Sequence, residues 1–328
     1  MNQVQSKIAQ QPHPKLKRTV FKISISIIIL LLLLFYLPIP VIISSIKQIS
    51  ISEWSICLFI AFFIHILGVC KWRWQQMAAR IKLRFLTVLR FYAAGVFANI
   101  FMPSIIGGDV LRTGLVIYHT GEKRNVILSS LIDRLCDVIS LCILAVFGSL
   151  FVSNFLELNL YMVLIIVISV VIGLLIFGLG LLCYKPPKWW PRRFRHQTMR
   201  LKTALWCIVN NYRLTLSALF LSITLQVCLI LLNATIGKAV GLNVPTILWF
   251  FVFPMAKMAA MIPISFGGIG VQELTMVGLM NGLGETPALA LSQSLLWRGI
   301  IIAHGALYGL VWFVLNKFIK TAERTSNI

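Results

Sequence analysis

The chain has 328 residues, 59% of them hydrophobic and 12% charged, with a formal net charge of +21 and a mean hydropathy of +0.91. A soluble domain of this size has no use for so much apolar surface, and typical soluble domains carry roughly 25% charged residues. The excess of Lys and Arg would suit nucleic acid, but no aromatic–basic interleaving or nucleic-acid motif accompanies it, so nucleic acid is not an expected partner.

Apolar stretches of about 20 residues read as membrane-spanning helices. In chain order they are Phe21–Leu37, Trp54–Cys70, Ile127–Val152, Leu160–Tyr184, Leu214–Ile236 and Leu289–Phe318. Two further apolar regions, Phe91–Tyr118 and Ile247–Leu283, are broken at their centres. The first apolar run is long and no small-x-small site follows it, which argues against a cleaved leader. No separate soluble domain is expected. The reading is a basic tail (1–20), one membrane domain (21–318) and a short tail (319–328).

The two breaks share a pattern, P-x-x-x-G-G. The first is Pro103-Ser-Ile-Ile-Gly107-Gly108-Asp109 and the second Pro263-Ile-Ser-Phe-Gly267-Gly268-Ile-Gly270. Each is followed by Gly-Glu (Gly121-Glu122 and Gly284-Glu285) and then by a long apolar helix. Matched interruptions of this kind in two halves of a chain point to a transporter's substrate site.

Lys and Arg cluster at Met1–Lys22 (five), Lys71–Arg90 (six), Lys123–Arg124 (two), Lys185–Arg213 (eight) and Lys317–Arg324 (three). The positive-inside rule places these clusters, and with them both termini, in the cytoplasm, against anionic headgroups. Phe91–Tyr118 is then a re-entrant hairpin from the cytoplasm, and Ile247–Leu283 one from outside. Each half reads helix, helix, hairpin, helix, in opposite orientations. The expected fold is an all-α polytopic membrane protein with an inverted-topology repeat (21–155 and 159–318), about six full helices and two broken hairpins. The expected location is the plasma (inner) membrane.

Broken backbone within a bilayer must be satisfied by protein or by a water-filled cavity. The tips, Pro103, Gly107 and Gly108 in one and Pro263, Gly267, Gly268 and Gly270 in the other, therefore imply an interior cavity. Helices that start at the tips offer N–H groups to an anion such as phosphate. Charges sit beside them: Asp109 and Arg112 after the first tip, Lys257 before and Glu273 after the second. Asp133, Arg134 and Asp137 open the next helix, with Ser130 and Ser140 on the face of Asp133 and Asp137, and Arg298 holds the matching place in the last helix. An intramembrane charge costs at least roughly 2.5 kcal/mol, so each needs a partner or water. Arg112, Arg134, Arg298 and Lys257 are the candidate phosphate ligands; Asp109, Asp133, Asp137 and Glu273 are their charge partners or proton carriers. Internal salt bridges that only lock the helices are the alternative.

The runs Gly95-Val-Phe-Ala-Asn99-Ile-Phe-Met-Pro103 through Arg112, with Asp133-Arg134, and Pro263 through Glu273, resemble the two signatures of the transmembrane region of lysylphosphatidylglycerol synthases. The resemblance covers nearly the whole chain. It implies a lipid-translocating, flippase-like membrane domain. Larger members append a cytosolic aminoacyl-transfer domain; with only residues 319–328 after the last helix, a stand-alone member without that chemistry is expected. The family often carries a basic residue where Gln272 stands.

The seven cysteines include no C-x-x-C and the five histidines no ligand spacing, so neither a metal nor a disulfide frame is expected. No nucleotide-binding loop is present and no cofactor is expected. The reading is translocation of an anionic phospholipid or polyprenyl-phosphate-linked lipid through a central polar cavity, without enzymatic chemistry. Membrane lipids are the partners, and a cytosolic or membrane lipid-modifying enzyme is the protein partner considered. The rivals are an intramembrane headgroup-modifying enzyme with Asp133 or Asp137 as general base, and a non-transporting subunit of a lipid-modifying complex.

In a cysteine-free background, a single cysteine at Lys188 is expected to react with impermeant maleimide only from the cytoplasm. Cysteines at Asn154 and Asn243 should react only from outside. Cytoplasmic labelling at Asn243 would remove the inverted orientation of the two halves.

Overall fold

A computed structural model describes residues 14–102, 107–152, 212–262 and 264–325, with isolated positions between 191 and 206. The expected helix over Leu160–Tyr184, most of the basic loop after it, and Pro103 and Pro263 lie outside the described residues. Among the described residues the fold is all helical: α1 (Pro14–Tyr36), α2 (Ile39–Gln48), α3 (Ile51–Ala78), α4 (Phe85–Ala98), α5 (Gly107–Thr120), α6 (Lys123–Val152), α7 (Tyr212–Ala239), α8 (Trp249–Met261), α9 (Val271–Gly282) and α10 (Pro287–Thr325).

Four of these, α3, α6, α7 and α10, are long and apolar enough to cross a membrane, and α1 with α2 makes a fifth if the bent pair is one span. The bend between them is 94°. It falls where Pro38 and Pro40 interrupt the apolar run, since the residue before a proline avoids the helical region. The α3 start is fixed by a capping box in which Ser50 and Glu53 exchange hydrogen bonds. Large apolar side chains such as Phe59, Phe220 and Phe313 face outward. Lys71, Asp133, Gln293 and Glu273 are buried. Apolar outside and polar inside is the arrangement that a lipid solvent permits and water does not.

The two interrupted regions fold as pairs of short helices, α4 with α5 and α8 with α9, packed against each other. Their 12 to 14 residues make rods of about 18–21 Å, short of the roughly 30 Å hydrocarbon core. Their packing is reciprocal. The first arm α4 lies along α10, the helix that follows the second pair, and α8 lies along α6, the helix that follows the first. The second arms α5 and α9 each contact the helix that follows them, and α3 packs on α7. Small residues allow these approaches. Gly305 and Gly309, a G-x-x-x-G stripe on α10, receive Ile100 and Phe97, while Gly148 on α6 meets the backbone of Phe250 and Phe251.

The two tips use glycine differently. At the second, Gly267, Gly268 and Gly270 have φ of 58°, 78° and 86°, the left-handed region that side chains avoid. At the first, Gly108 opens α5 against α4, where a Cβ would overlap the Gly95 carbonyl oxygen. The tips also meet. A Cβ on Gly267 would stand 3.9 Å from the Met102 carbonyl oxygen.

Gly108→Ala should therefore force α4 and α5 apart and lower thermal stability in detergent by about 1–3 kcal/mol, the scale of an overpacked core. Gly114→Ala, where a Cβ meets nothing within 4 Å, should stabilise α5 by up to about 1 kcal/mol through helix propensity. Equal melting temperatures for the two variants would contradict the close approach.

Candidate functional site: a buried charge cluster and two adjoining cavities

Lys71 on α3 is the centre of the first site. It is 3% exposed, and its Nζ lies 2.8 Å from Asp133 Oδ1, pairs with Asp137, and donates to Ser222 Oγ on α7 at 3.0 Å. Asp133, 1% exposed, also accepts from Arg112 Nη2 at 2.6 Å through its other oxygen. Arg112 reaches Asp109 at 3.0 Å, one helical turn away on α5, and Asp109 in turn pairs with Arg134. The result is a continuous ladder, Asp137–Lys71–Asp133–Arg112–Asp109–Arg134, that ties α3, α5 and α6 together. The Arg112 guanidinium also stands over Trp72 (4.8 Å) and Tyr92 (5.1 Å), so α3 and α4 contribute π faces.

The ladder explains the serine spacing on α6. Ser130 shares a 2.8 Å hydrogen bond with Thr113 of α5, and Ser140 donates to the Asp137 carbonyl. Arg112 Nε and Arg134 Nε are buried without a hydrogen-bond partner among the described residues.

The second site lies at the other tip. The Gly270 N–H donates to Glu273 Oε2 at 2.7 Å, which caps α9. Arg298 of α10 donates to Glu273 Oε1 from Nη2 (2.6 Å) and Nε (3.0 Å), and lies 3.4 Å from Gln272 Oε1. Other side chains satisfy backbone at both tips. Gly108 N–H donates to Asn99 Oδ1 (2.8 Å) and Phe266 N–H to Ser26 Oγ of α1 (2.8 Å). Each is a backbone donor that lipid could not satisfy.

Two cavities open between these groups. The first, about 180 Å³, is lined by the ladder residues together with Gln226. The second, about 260 Å³, is lined by Gln272, Arg298, Trp297 and His304 on one side and by Ala61, Ile100 and Gly267 on others. His65, Asn99 and Lys257 line both, so the two spaces adjoin. Lys257 donates to Gln226 Oε1 at 2.9 Å and stands 5.7 Å from the Phe253 ring. Among the described residues it has no carboxylate partner. His65 meets Tyr92 OH at 3.2 Å through Nδ1 and stacks on His304 with ring centroids 4.0 Å apart.

The sequence-derived residues thus separate into two groups. Asp109, Arg112, Asp133, Arg134 and Asp137 come together, and Glu273 meets Arg298, while Lys257 stands between. Sequence reasoning missed Lys71, which it assigned to the basic loop before α4. The helix continues to Ala78, and Lys71 is turned inward one residue before the fully buried Trp72. Asn99, Gln226 and the His65–His304 pair were also missed as site residues; polar side chains within apolar runs were the available signal.

Removing one partner from a buried pair leaves an uncompensated charge, at a cost of about 3–5 kcal/mol. Asp133→Asn leaves Lys71 and Arg112 with weakened partners and should lower the melting temperature in detergent markedly. Glu122→Gln, an exposed position, should leave it unchanged. A small effect of Asp133→Asn would mean that water reaches the ladder freely.

The lysylphosphatidylglycerol synthase TM region family matches residues 20–309. A UPF0104 membrane protein of Pyrococcus horikoshii is 25% identical over 291 residues, covering 79% of this chain and 87% of that protein. No solved structure matches the chain. With four apolar helices long enough to span a bilayer and a family match over most of its length, the chain belongs to the lysylphosphatidylglycerol synthase TM region family, multi-pass membrane proteins tied to lipid handling.

Proposed function

We propose that the protein translocates an anionic phospholipid or polyprenyl-phosphate-linked lipid across the inner membrane, with both termini in the cytoplasm and the headgroup passing through the adjoining cavities. The observation that carries this reading is a polar interior between two broken helices whose tips meet, inside a shell of outward-facing apolar side chains. A headgroup needs a polar path and the acyl chains need lipid, and this arrangement offers both.

The reciprocal packing supports an inverted repeat in which α4–α5 and α8–α9 act as re-entrant gates on opposite faces. Each gate's first arm rests on the helix that follows the other gate, so movement of one is felt by the other. The headgroup-modifying alternative would use Asp133 or Asp137 as a general base. Both Asp133 oxygens and one Asp137 oxygen are already engaged by Lys71 or Arg112, which leaves them poorly placed to take a proton from a headgroup.

The test is scrambling of fluorescent phosphatidylglycerol in proteoliposomes, scored by loss of signal to an impermeant reductant. A Met102→Cys/Phe266→Cys pair, at the point where the tips meet, should crosslink with a short bis-thiosulfonate. The crosslink should stop scrambling and thiol reduction should restore it. Scrambling no faster than in empty liposomes with wild-type protein, for phosphatidylglycerol and a polyprenyl phosphate alike, would remove the translocation reading.

A further inference from the structure

The two cavities differ in a way that assigns them different tasks. The first is lined by four cations, Lys71, Arg112, Arg134 and Lys257, and three carboxylates, Asp109, Asp133 and Asp137. Three of those cations are held in ion pairs. An anion entering there must compete with carboxylates already in place and stand beside them. The second cavity is lined by two cations, Lys257 and Arg298, and by no carboxylate among the described residues. Glu273 stands behind Arg298 and is 2% exposed. The remaining polar groups on that wall, among the described residues, are the amides of Asn99 and Gln272, the imidazoles of His65 and His304 and the indole of Trp297.

His304 adds an independent sign of a missing ligand. The residue is 3% exposed, and its Nε2 has no hydrogen-bond partner among the described residues. A buried ring nitrogen without a partner is costly unless water or a ligand meets it. His65 faces Tyr92, His304 and Tyr308, and Lys257 stands on the same cavity walls. The surroundings of this imidazole pair therefore include a cation but no carboxylate in contact.

We propose that the second cavity, between the two tips, is the seat of the anion, that Lys257 with Arg298 binds it, and that the seat takes one phosphodiester group. This rests on the translocation reading and refines its site. The charge count sets the class. With Arg298 balanced by Glu273, Lys257 is the one uncompensated cation on that wall among the described residues, so a singly charged phosphodiester brings the cavity to neutrality. A diphosphate would leave excess negative charge in a low-dielectric interior, which is strongly unfavourable. Lys257 also lines the first cavity, so the same ammonium can follow the phosphate as it moves between the two spaces. The Asp–Lys–Arg ladder is then the lock that holds α5 to α6, and its arginines shape the wall of the first cavity rather than form the seat.

Purified protein in mild detergent is titrated with dioleoyl phosphatidylglycerol, with a polyprenyl diphosphate and with inorganic phosphate. Phosphatidylglycerol should bind more tightly than the diphosphate. Lys257→Gln should weaken it by at least about tenfold, one decade in Kd. Lys257→Arg should stay within about threefold, because an anion seat needs a cation there. Lys238→Gln, on a separate apolar pocket, should bind as wild type.

A second measurement needs no substitution. Phosphatidylglycerol with a diazirine in its headgroup is photolysed on the wild-type protein and the labelled residues are mapped. Labels at Ala260 and Ile301, which line the second cavity alone, support the seat. Labels confined to Ile64 and Leu225, which line the first alone, overturn it even if Lys257→Gln fails to fold. Wild-type affinity in Lys257→Gln, or tighter binding of the diphosphate, also overturns it. Inorganic phosphate that binds as tightly as the lipid, with the same dependence on Lys257, overturns the lipid assignment. Lys257-dependent lipid binding in a protein that does not scramble upholds the seat and removes the translocation reading.

Discussion

Everything in the interior depends on the charge ladder from Asp137 through Lys71, Asp133, Arg112 and Asp109 to Arg134. Dispersion and small-residue packing hold helices together in lipid, but the hydrophobic effect contributes little between them. A buried charge has a far steeper requirement, because in an apolar medium it must find its opposite. Six ionised groups on α3, α5 and α6 can be satisfied together in few arrangements. The ladder therefore fixes which faces of these helices turn inward. It also anchors the otherwise short α5, which α6 holds through Asp133, Arg134 and the Thr113–Ser130 hydrogen bond.

The two tips then become possible. A helix broken amid apolar surroundings exposes N–H and C=O groups that lipid cannot take up. Here Asn99, Glu273 and Ser26 each accept from a tip N–H. Ser26 comes from α1, so the helix furthest away in sequence stabilises the second tip. The reciprocal contacts of α4 with α10 and of α8 with α6 make the two broken pairs mechanically dependent. α10 carries Arg298 and His304 and also the glycines that receive Phe97 of α4 and Ile100 just after it. A displacement of α4 therefore moves the wall of the second cavity.

Much of this was legible in the sequence, and the exceptions have physical reasons. The broken helices could be read from P-x-x-x-G-G because glycine and proline act locally, and the charged residues stood out because apolar segments so seldom contain them. Lys71 was misplaced because the edge of a basic cluster is not the end of a helix. Only packing against α6 distinguishes a lysine that leaves for the headgroups from one that turns back to Asp133. The near-right-angle turn between α1 and α2 had its signal in Pro38 and Pro40, just past the end of the expected first span, Phe21–Leu37. The equivalence of the tips was overstated by the motif. Gly267, Gly268 and Gly270 supply left-handed backbone, whereas Gly107 and Gly108 begin a helix and provide room.

The same limit applied to the arginines. Sequence gives the inventory of charges in a membrane interior but not their pairing, and function turns on the pairing. Arg112 and Arg298 look alike along the chain, each near a tip and each near an acid. In the fold Arg112 is enclosed by two carboxylates and two aromatic faces. Arg298 holds one carboxylate and also lines a cavity that no acid lines among the described residues. A cation that is already neutralised from several sides stabilises structure. One with charge left over can attract a ligand, and among the described residues that surplus lies on Lys257, at the wall that both cavities share, which is why the proposed anion seat is placed there.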